Sequence, residues 1–247
     1  MPENFHLEYH DIFLETTDGT RLHGWFLPSR IDKKGTVFFL HGNAQNISAH
    51  INSIYWLPKE GYNVFLLDYR GYGKSTGAPS LNGVLKDIKV GFEWLEIQPS
   101  VKNAPIYILG QSIGASLCCL FYDENPIIKN RISGIILDSG FSNLRMLVRE
   151  KLSGFRFTWP FRYPLSLIFS SKFNPEKTIN KISPVPLMIM HSDEDRVIPS
   201  SHSKKLFKLA GHPKYFVKTS GSHILTFKFK ENQIEMLEFM TRFSKKK

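Results

Sequence analysis

The sequence predicts an α/β domain built on a mostly parallel sheet, and three observations carry that prediction. Short runs that are apolar almost throughout recur at residues 36–40, 64–67, 105–109, 133–137 and 185–190. A strand covered on both faces has no polar side, so it reads as a continuous apolar run rather than as an alternation. Segments of helical spacing separate these runs, the pattern of parallel strands with helices on both faces. Third, Gly110-Gln111-Ser112-Ile113-Gly114 falls between an apolar strand and an apolar helix. A serine held on so tight a strand-to-helix turn needs small residues two positions to either side.

The elements follow in order. Residues near 10–28 read as two strands: Ile12, Leu14 and Thr16 alternate with Phe13 and Glu15, Asp18-Gly19 makes a hairpin turn, and residues 22–27 return. Lys33-Lys34-Gly35 is a second turn, and the strand 36–40 ends at the polar, small-residue loop His41-Gly42-Asn43-Ala44-Gln45-Asn46. A helix over about 48–59 closes at Gly61. The strand 64–67 runs into the glycine-rich loop Asp68-Tyr69-Arg70-Gly71-Tyr72-Gly73-Lys74-Ser75. A helix over about 80–95 carries Leu81, Val84, Leu85, Ile88 and Phe92 at helical spacing. The strand 105–109, the serine turn and a buried helix from Ala115 to Phe121 come next, then a strand ending at Asp138. Residues 142–181 break the alternation. A strand at 185–190, a helix at 200–209, a short strand at 215–218 and a helix at 231–243 complete about eight strands in one domain spanning 1–247, with an insertion at about 141–182. There is no internal repeat.

Composition limits the function classes. The 247 residues are 42% apolar, enough for a sizeable core, and no biased segment points to disorder. The only cysteines, Cys118 and Cys119, are adjacent on one helix, where a disulfide would be strained. They are core fillers, which fits a reducing, cytoplasmic setting. The first residues lack the basic stretch and apolar run of a signal peptide, and no apolar run approaches the ~18–20 residues of a membrane span. The net charge of +10 is unevenly spread: residues 141–181 hold eight basic and two acidic side chains, +6 of the total. No nucleic-acid recognition motif accompanies it, so no nucleic-acid partner is expected. Peripheral contact with an anionic membrane is the alternative the charge leaves open.

Loops after the carboxyl ends of parallel strands crowd one edge, where ligands bind. There a serine needs a base, and the base needs an orienting acid. Among nine histidines, His6, His10 and His23 fall in the first hairpin region, away from that edge, while His50, His202 and His212 fall on or beside helices and read as surface residues. His223, in the small-residue loop after the 215–218 strand, is the candidate base. Asp195 is the favoured acid, with Asp193 and Asp138 as alternatives; Asp193 is expected to cap its own tight loop. An oxyanion needs two backbone donors. The amide of Ile113, at the start of the helix, is one. The amide of Asn43, after His41-Gly42, is the other, and His41 is expected to pack that loop.

Five stretches together resemble the α/β-hydrolase superfamily of serine hydrolases: His41-Gly42-Asn43-Ala44, residues 68–75, residues 110–114, residues 191–199 and Gly221-Ser222-His223. The order nucleophile, acid, base is also that superfamily's. The chain is most similar to the branch of abhydrolase-17-type acyl-protein thioesterases and their bacterial relatives. The resemblance implies the α/β-hydrolase fold with a small cap insertion. It assigns Ser112 as nucleophile, Asp195 as acid, His223 as base, and the Ile113 and Asn43 amides as the oxyanion hole. Residues 68–75 are structural in that family. The sequence departs from it at Ser192, where glycine is frequent, and at Ile224, where asparagine or aspartate often follows the histidine. The implied reaction is hydrolysis of carboxylic esters or thioesters through an acyl-enzyme, with no metal or organic cofactor.

The insertion holds Phe155, Phe157, Trp159, Phe161, Tyr163, Phe169 and Phe173 with Leu165, Leu167 and Ile168. So apolar a cap suggests a small-to-medium acyl chain as substrate. The same aromatics could instead pack onto the sheet domain, or rest with their basic neighbours on anionic lipid. A lipase or serine peptidase of the same fold, or a catalytically silent binding protein, are the alternative functions.

Overall fold

The computed structural model describes residues 1–154, 161–168 and 174–244. Eight strands form one sheet: β1 (His10–Glu15), β2 (Arg21–Leu27), β3 (Gly35–Leu40), β4 (Tyr62–Asp68), β5 (Ile106–Gln111), β6 (Ile132–Asp138), β7 (Leu187–Ser192) and β8 (Lys214–Thr219). Their spatial order is β1-β2-β4-β3-β5-β6-β7-β8. β2 pairs antiparallel with β1 and with β4; the other five pairings are parallel. This is the α/β-hydrolase fold that the motifs imply.

The helices are α1 (Ile47–His50), α2 (Leu81–Glu96), α3 (Ile113–Glu124), α4 (Leu144–Ser153), α5 (Arg162–Leu167), α6 (Ser200–Leu209) and α7 (Lys230–Arg242). Alternate residues of each central strand feed two cores. Phe38, Leu40, Phe65, Leu67, Ile108 and Ile189 meet α2, α3 and α6 on one face. Val37, Phe39, Val64, Leu66, Leu109 and Met190 meet α1 and α7 on the other. Both faces are dry, and that is why these strands are apolar throughout.

Most sequence-level elements hold to within a residue or two. α2 begins where expected because the Ser80 hydroxyl accepts the Gly83 amide as an N-cap. The helix expected over 48–59 does not form as one piece. α1 is a single turn, followed by two 3-10 turns, Ile51–Ser53 and Leu57–Glu60. Pro58 offers no N–H to continue an α-helix and disfavours helical backbone at Leu57. Ile47, Ile51, Ile54 and Leu57 are still buried, so the apolar spacing reported the packing face and not the helix type. Gly61 closes the segment in left-handed backbone, φ 95°.

Between β6 and β7 the described residues form α4, α5 and two 3-10 turns, Pro175–Lys177 and Ile179–Ile182. No residue of α4 is buried and only Ser166 of α5 is, whereas Ile179 and Ile182 rejoin the core. Phe155, Phe157, Trp159, Phe169 and Phe173, expected in a cap, lie outside the described residues. No helix among the described residues is long and apolar enough to cross a membrane.

Candidate active site

β5 ends at Gln111 and α3 begins at Ile113, leaving Ser112 alone on the turn at φ 57° and ψ −119°. A non-glycine residue there carries a strain on the order of 1–3 kcal/mol, held by the surrounding structure. The two glycines are required by close approach. A Cβ on Gly110 would come within 2.5 Å of the Gly114 carbonyl, and one on Gly114 within 2.0 Å of the Leu40 carbonyl. The Ser112 amide is tied to the Asp138 carbonyl at 2.9 Å, so the turn is fixed to β6 as well.

His223, beyond β8, brings its Nε2 to 3.0 Å from the Ser112 Oγ, and its Nδ1 to 2.7 Å from Asp195 Oδ2. Asp195 follows β7, and its other oxygen accepts the Val197 and Ile198 amides at 2.8 and 2.9 Å. Burial alone would raise this carboxyl's pKa. Hydrogen bonds from His191, His223 and the Ile198 amide outweigh that and hold it well below the usual carboxylate range. An ionised Asp195 only accepts, so His223 Nδ1 carries the proton, Nε2 is the acceptor, and the Ser112 hydroxyl donates to it.

The loop after β3 packs directly against the serine: a Cβ built on Gly42 would sit 3.5 Å from the Ser112 Cβ. Four side chains hold this loop. The Tyr72 hydroxyl donates to Asn43 Oδ1 at 2.8 Å, and His50 Nε2 donates to the Ala44 carbonyl at 2.8 Å. Tyr69 stacks on the buried His41 ring at 4.2 Å and donates to its carbonyl at 3.2 Å. Asp68 Oδ1 accepts the Ile47 amide at 2.9 Å. Residues 68–75 are themselves braced. Arg70 binds buried Asp87 with Nε and Nη2 at 2.7–3.0 Å and reaches Asp18 at 3.2 Å, and the Ser75 hydroxyl bridges the Asp68 carbonyl and the His23 amide. Ile113 is the first residue of α3, where backbone N–H groups have no partner inside the helix and the dipole is positive.

A cavity of about 750 Å³ opens beside Ser112 and His223. Its described apolar lining comes from Phe5, Tyr55, Val197, Ile224, Leu225 and Phe227, and its polar lining includes Asn43, Gln45, Asn52 and Lys228. None of the described residues of α4 or α5 lines it. The insertion expected to form the substrate wall therefore contributes nothing to it among the described residues. The described wall comes from the N-terminal segment, the turns after α1 and the loop after His223. Among the described residues, no three His, Cys, Asp or Glu side chains are grouped as a metal site requires.

Three histidines lie elsewhere than the sequence suggested. His23 pairs with Asp68 across β2 and β4, which sets it at the ligand edge, buried, with Asp11 on Nε2 at 2.5 Å. His50 is buried under the β3 loop. His202 is buried on α6, its Nδ1 accepting from the Ser142 amide at 3.2 Å. Position along the chain does not show these partners: His23 and His50 each engage one ring nitrogen, Nε2, whereas His202 engages both, with Glu150 on Nε2 at 3.0 Å. Asp193 does not cap its loop: it is exposed and takes Ser200, Lys204 and Lys218, while Ser192 Oγ accepts the Glu194 amide. Asp138 sits buried at the end of β6 but binds Gln111, Ser139 and Thr226 rather than His223. The sequence reading missed two supports. His191 Nε2 lies 2.9 Å from the Ile198 carbonyl and 3.4 Å from Asp195 Oδ2, a second imidazole on that carboxylate, signalled only by its i, i+4 spacing. Tyr72 had no sequence signal beyond its place in the glycine-rich loop.

Comparison with known proteins fits this arrangement. A family model described as "Serine aminopeptidase, S33" (Hydrolase_4) matches residues 31–162, more than half of the chain. The chain is 33% identical over 231 residues to the uncharacterized protein YfhR of Escherichia coli K12, covering 90% of this chain and 77% of YfhR. It is 30% identical over 217 residues to the α/β-hydrolase domain-containing protein WAV2 of Arabidopsis thaliana, covering 85% and 69%. Among solved structures, the Pyrococcus furiosus esterase Pf2001 superimposes with a TM-score of 0.77 at 25% identity, covering 99% of this chain and 94% of that one.

Proposed function

Because the chain belongs to the Hydrolase_4 family of α/β-hydrolases, we propose that it is a serine hydrolase that cleaves carboxylic esters or thioesters through an acyl-enzyme on Ser112. The observation that carries this reading is the unbroken hydrogen-bonded relay from the Ser112 Oγ through His223 to Asp195, with the serine strained at the sheet edge. In the proposed reaction His223 Nε2 takes the Ser112 proton as Oγ attacks the acyl carbonyl. Asp195 stabilises the imidazolium that forms. The oxyanion rests on the Ile113 and Asn43 amides, worth on the order of 3–4 kcal/mol for each donor. The imidazolium protonates the leaving alcohol or thiol, and water activated by His223 then releases the acid.

The family's description names an aminopeptidase, which must bind a free α-ammonium. The described lining of the cavity includes no Asp or Glu and does include Lys228. An apolar acyl group fits that lining better than a charged peptide terminus. Ester and thioester differ only in the leaving group, so both fall within the proposed chemistry, and the acyl-protein thioesterase branch is its finer form. Buried, unpaired Cys118 and Cys119 accord with a cytoplasmic location.

A fluorophosphonate probe tests the nucleophile: the wild-type chain labels and Ser112→Ala does not. Labelling that survives in Ser112→Ala, or none in the wild type, overturns the reading. A p-nitrophenyl ester series from acetate to palmitate then measures the acyl pocket, and faster turnover of aminoacyl anilides than of any ester would favour the peptidase.

A further inference from the structure

The segment between β6 and β7 presents a surface that neither the core nor the proposed chemistry uses. Phe161, Tyr163, Leu165, Leu167 and Ile168 are all exposed, Ile168 by 77%. Five large apolar side chains within eight consecutive residues are not the single scattered ones of an ordinary surface. Cations border them. The Arg149 and Arg162 guanidinium groups lie 4.9 and 5.0 Å from the Tyr163 ring. Arg145 reaches the Leu167 carbonyl at 3.5 Å, and Lys151 is exposed near the end of α4. The one carboxylate on α4 and α5, Glu150, is engaged by the buried His202 at 3.0 Å.

We propose that the α4–α5 face docks the protein on an anionic phospholipid bilayer. The occupant follows from the chemistry of the face. Leucine and isoleucine side chains enter the acyl boundary, the Tyr163 ring lies at headgroup depth, and the arginines and Lys151 meet headgroup phosphates and carboxylates. Exposed apolar side chains flanked by cations need no complementary pocket in their partner, and a bilayer offers none. The face also adjoins the site. Lys151 Nζ donates to the Arg196 carbonyl at 2.6 Å, and the next residue, Val197, is exposed and lines the cavity. Leu225, exposed on the same cavity's lining, adds to that lip. Docking through α5 therefore brings the cavity mouth towards the interface, where acyl lipids partition. The binding itself does not depend on the proposed hydrolysis, so each can fail alone.

The test is co-sedimentation of the full chain with phosphatidylserine-rich vesicles and with pure phosphatidylcholine vesicles. The wild type is expected to bind the first about tenfold more tightly, and high salt to remove most of the difference. Leu167→Asp with Ile168→Asp lowers that binding about tenfold, while turnover of a water-soluble ester is unchanged because neither side chain lines the cavity. Ile31→Asp with Ile97→Asp adds the same charge at two exposed sites on the opposite edge of the sheet and keeps wild-type binding. Equal or negligible binding to both vesicles overturns the proposal. So does an equal loss in the two double variants, which would assign the binding to net charge alone.

Discussion

The two segments beside Ser112 are built on opposite principles. The loop after β3 is gripped from four elements: Tyr69 and Tyr72 from the 68–75 loop, His50 from α1, Asp68 from β4, and behind them the Arg70–Asp87 pair anchored in α2. The α4–α5 segment reaches the body through Lys151 to the Arg196 carbonyl and Glu150 to the buried His202, and among the described residues of its two helices only Ser166 is buried. Dipoles that meet a developing charge act best when already fixed, since nothing then has to reorganise during reaction. A surface that meets a partner must remain uncovered until the partner arrives. In the proposed reading the first segment serves the chemistry and the second serves recognition.

The strongest way to break this contrast is to unsettle the fixed side without changing its shape. Asp195→Asn keeps the Val197 and Ile198 amides within reach of an oxygen but offers His223 an amide in place of a carboxylate. His223 then loses its preferred tautomer and the imidazolium its counter-charge. The expected result is a fall in kcat of about 10⁴-fold with little change in KM, read from steady-state ester hydrolysis. A loss below about tenfold would mean that the relay is not used.

The next effect is a pH dependence of stability. Burial, with His50 beside it, lowers the His41 pKa to about 4, despite Asp68 Oδ1 at 3.9 Å from its Nε2. The unfolded chain's histidine titrates near 6.5. Between about 6.5 and about 4 the unfolded state therefore takes up a proton that the folded state refuses, and stability falls as pH falls through that window, by roughly 3 kcal/mol. Urea midpoints measured across it for wild type and His41→Phe separate this contribution from those of other groups. The variant should lose less stability, and identical slopes would sink the assignment.

The sequence revealed unequal parts of this molecule. Ser112, Asp195 and His223 were legible as candidates because each follows a strand: the buried β5 and β7 announce themselves as apolar runs, while beyond the half-buried β8 the small-residue loop marks His223. The glycines at 110 and 114 were legible because a tight turn permits little else. The burial of His23, His50 and His202 was not, since it depends on what packs over each: β4 beside His23, the β3 loop over His50, and the Ser142 amide against His202. The described wall of the cavity was not legible either. The aromatic insertion drew attention by composition, whereas the described wall is assembled from Phe5, Tyr55 and Phe227, each unremarked in its own stretch. Composition reports what is apolar; it does not report which cavity an apolar residue faces.

A smaller effect tests the grip on the β3 loop itself. Tyr72→Phe removes one hydrogen bond, to Asn43 Oδ1, and leaves the ring packed against His41 at 5.3 Å. If that bond positions the Asn43 amide for the oxyanion, kcat falls about tenfold, equivalent to roughly 1.4 kcal/mol, while KM and the unfolding midpoint barely move. A rise in KM at constant kcat would instead make Tyr72 a wall of the binding site.

The smallest expected effect lies on the other side of the contrast. Leu165 is exposed on α5 and belongs to neither core, so Leu165→Ser should change the unfolding free energy by no more than about 0.5 kcal/mol and leave ester turnover in solution untouched. A near-zero result is informative here because the same exchange at a buried leucine such as Leu109 would remove a full side chain's burial, about 1.5–3 kcal/mol, and strand a hydroxyl in the core. A loss above about 1.5 kcal/mol at Leu165 would mean that α5 packs onto the body of the protein in solution. The segment would then be part of the frame, and its apolar side chains would no longer need a partner to account for them.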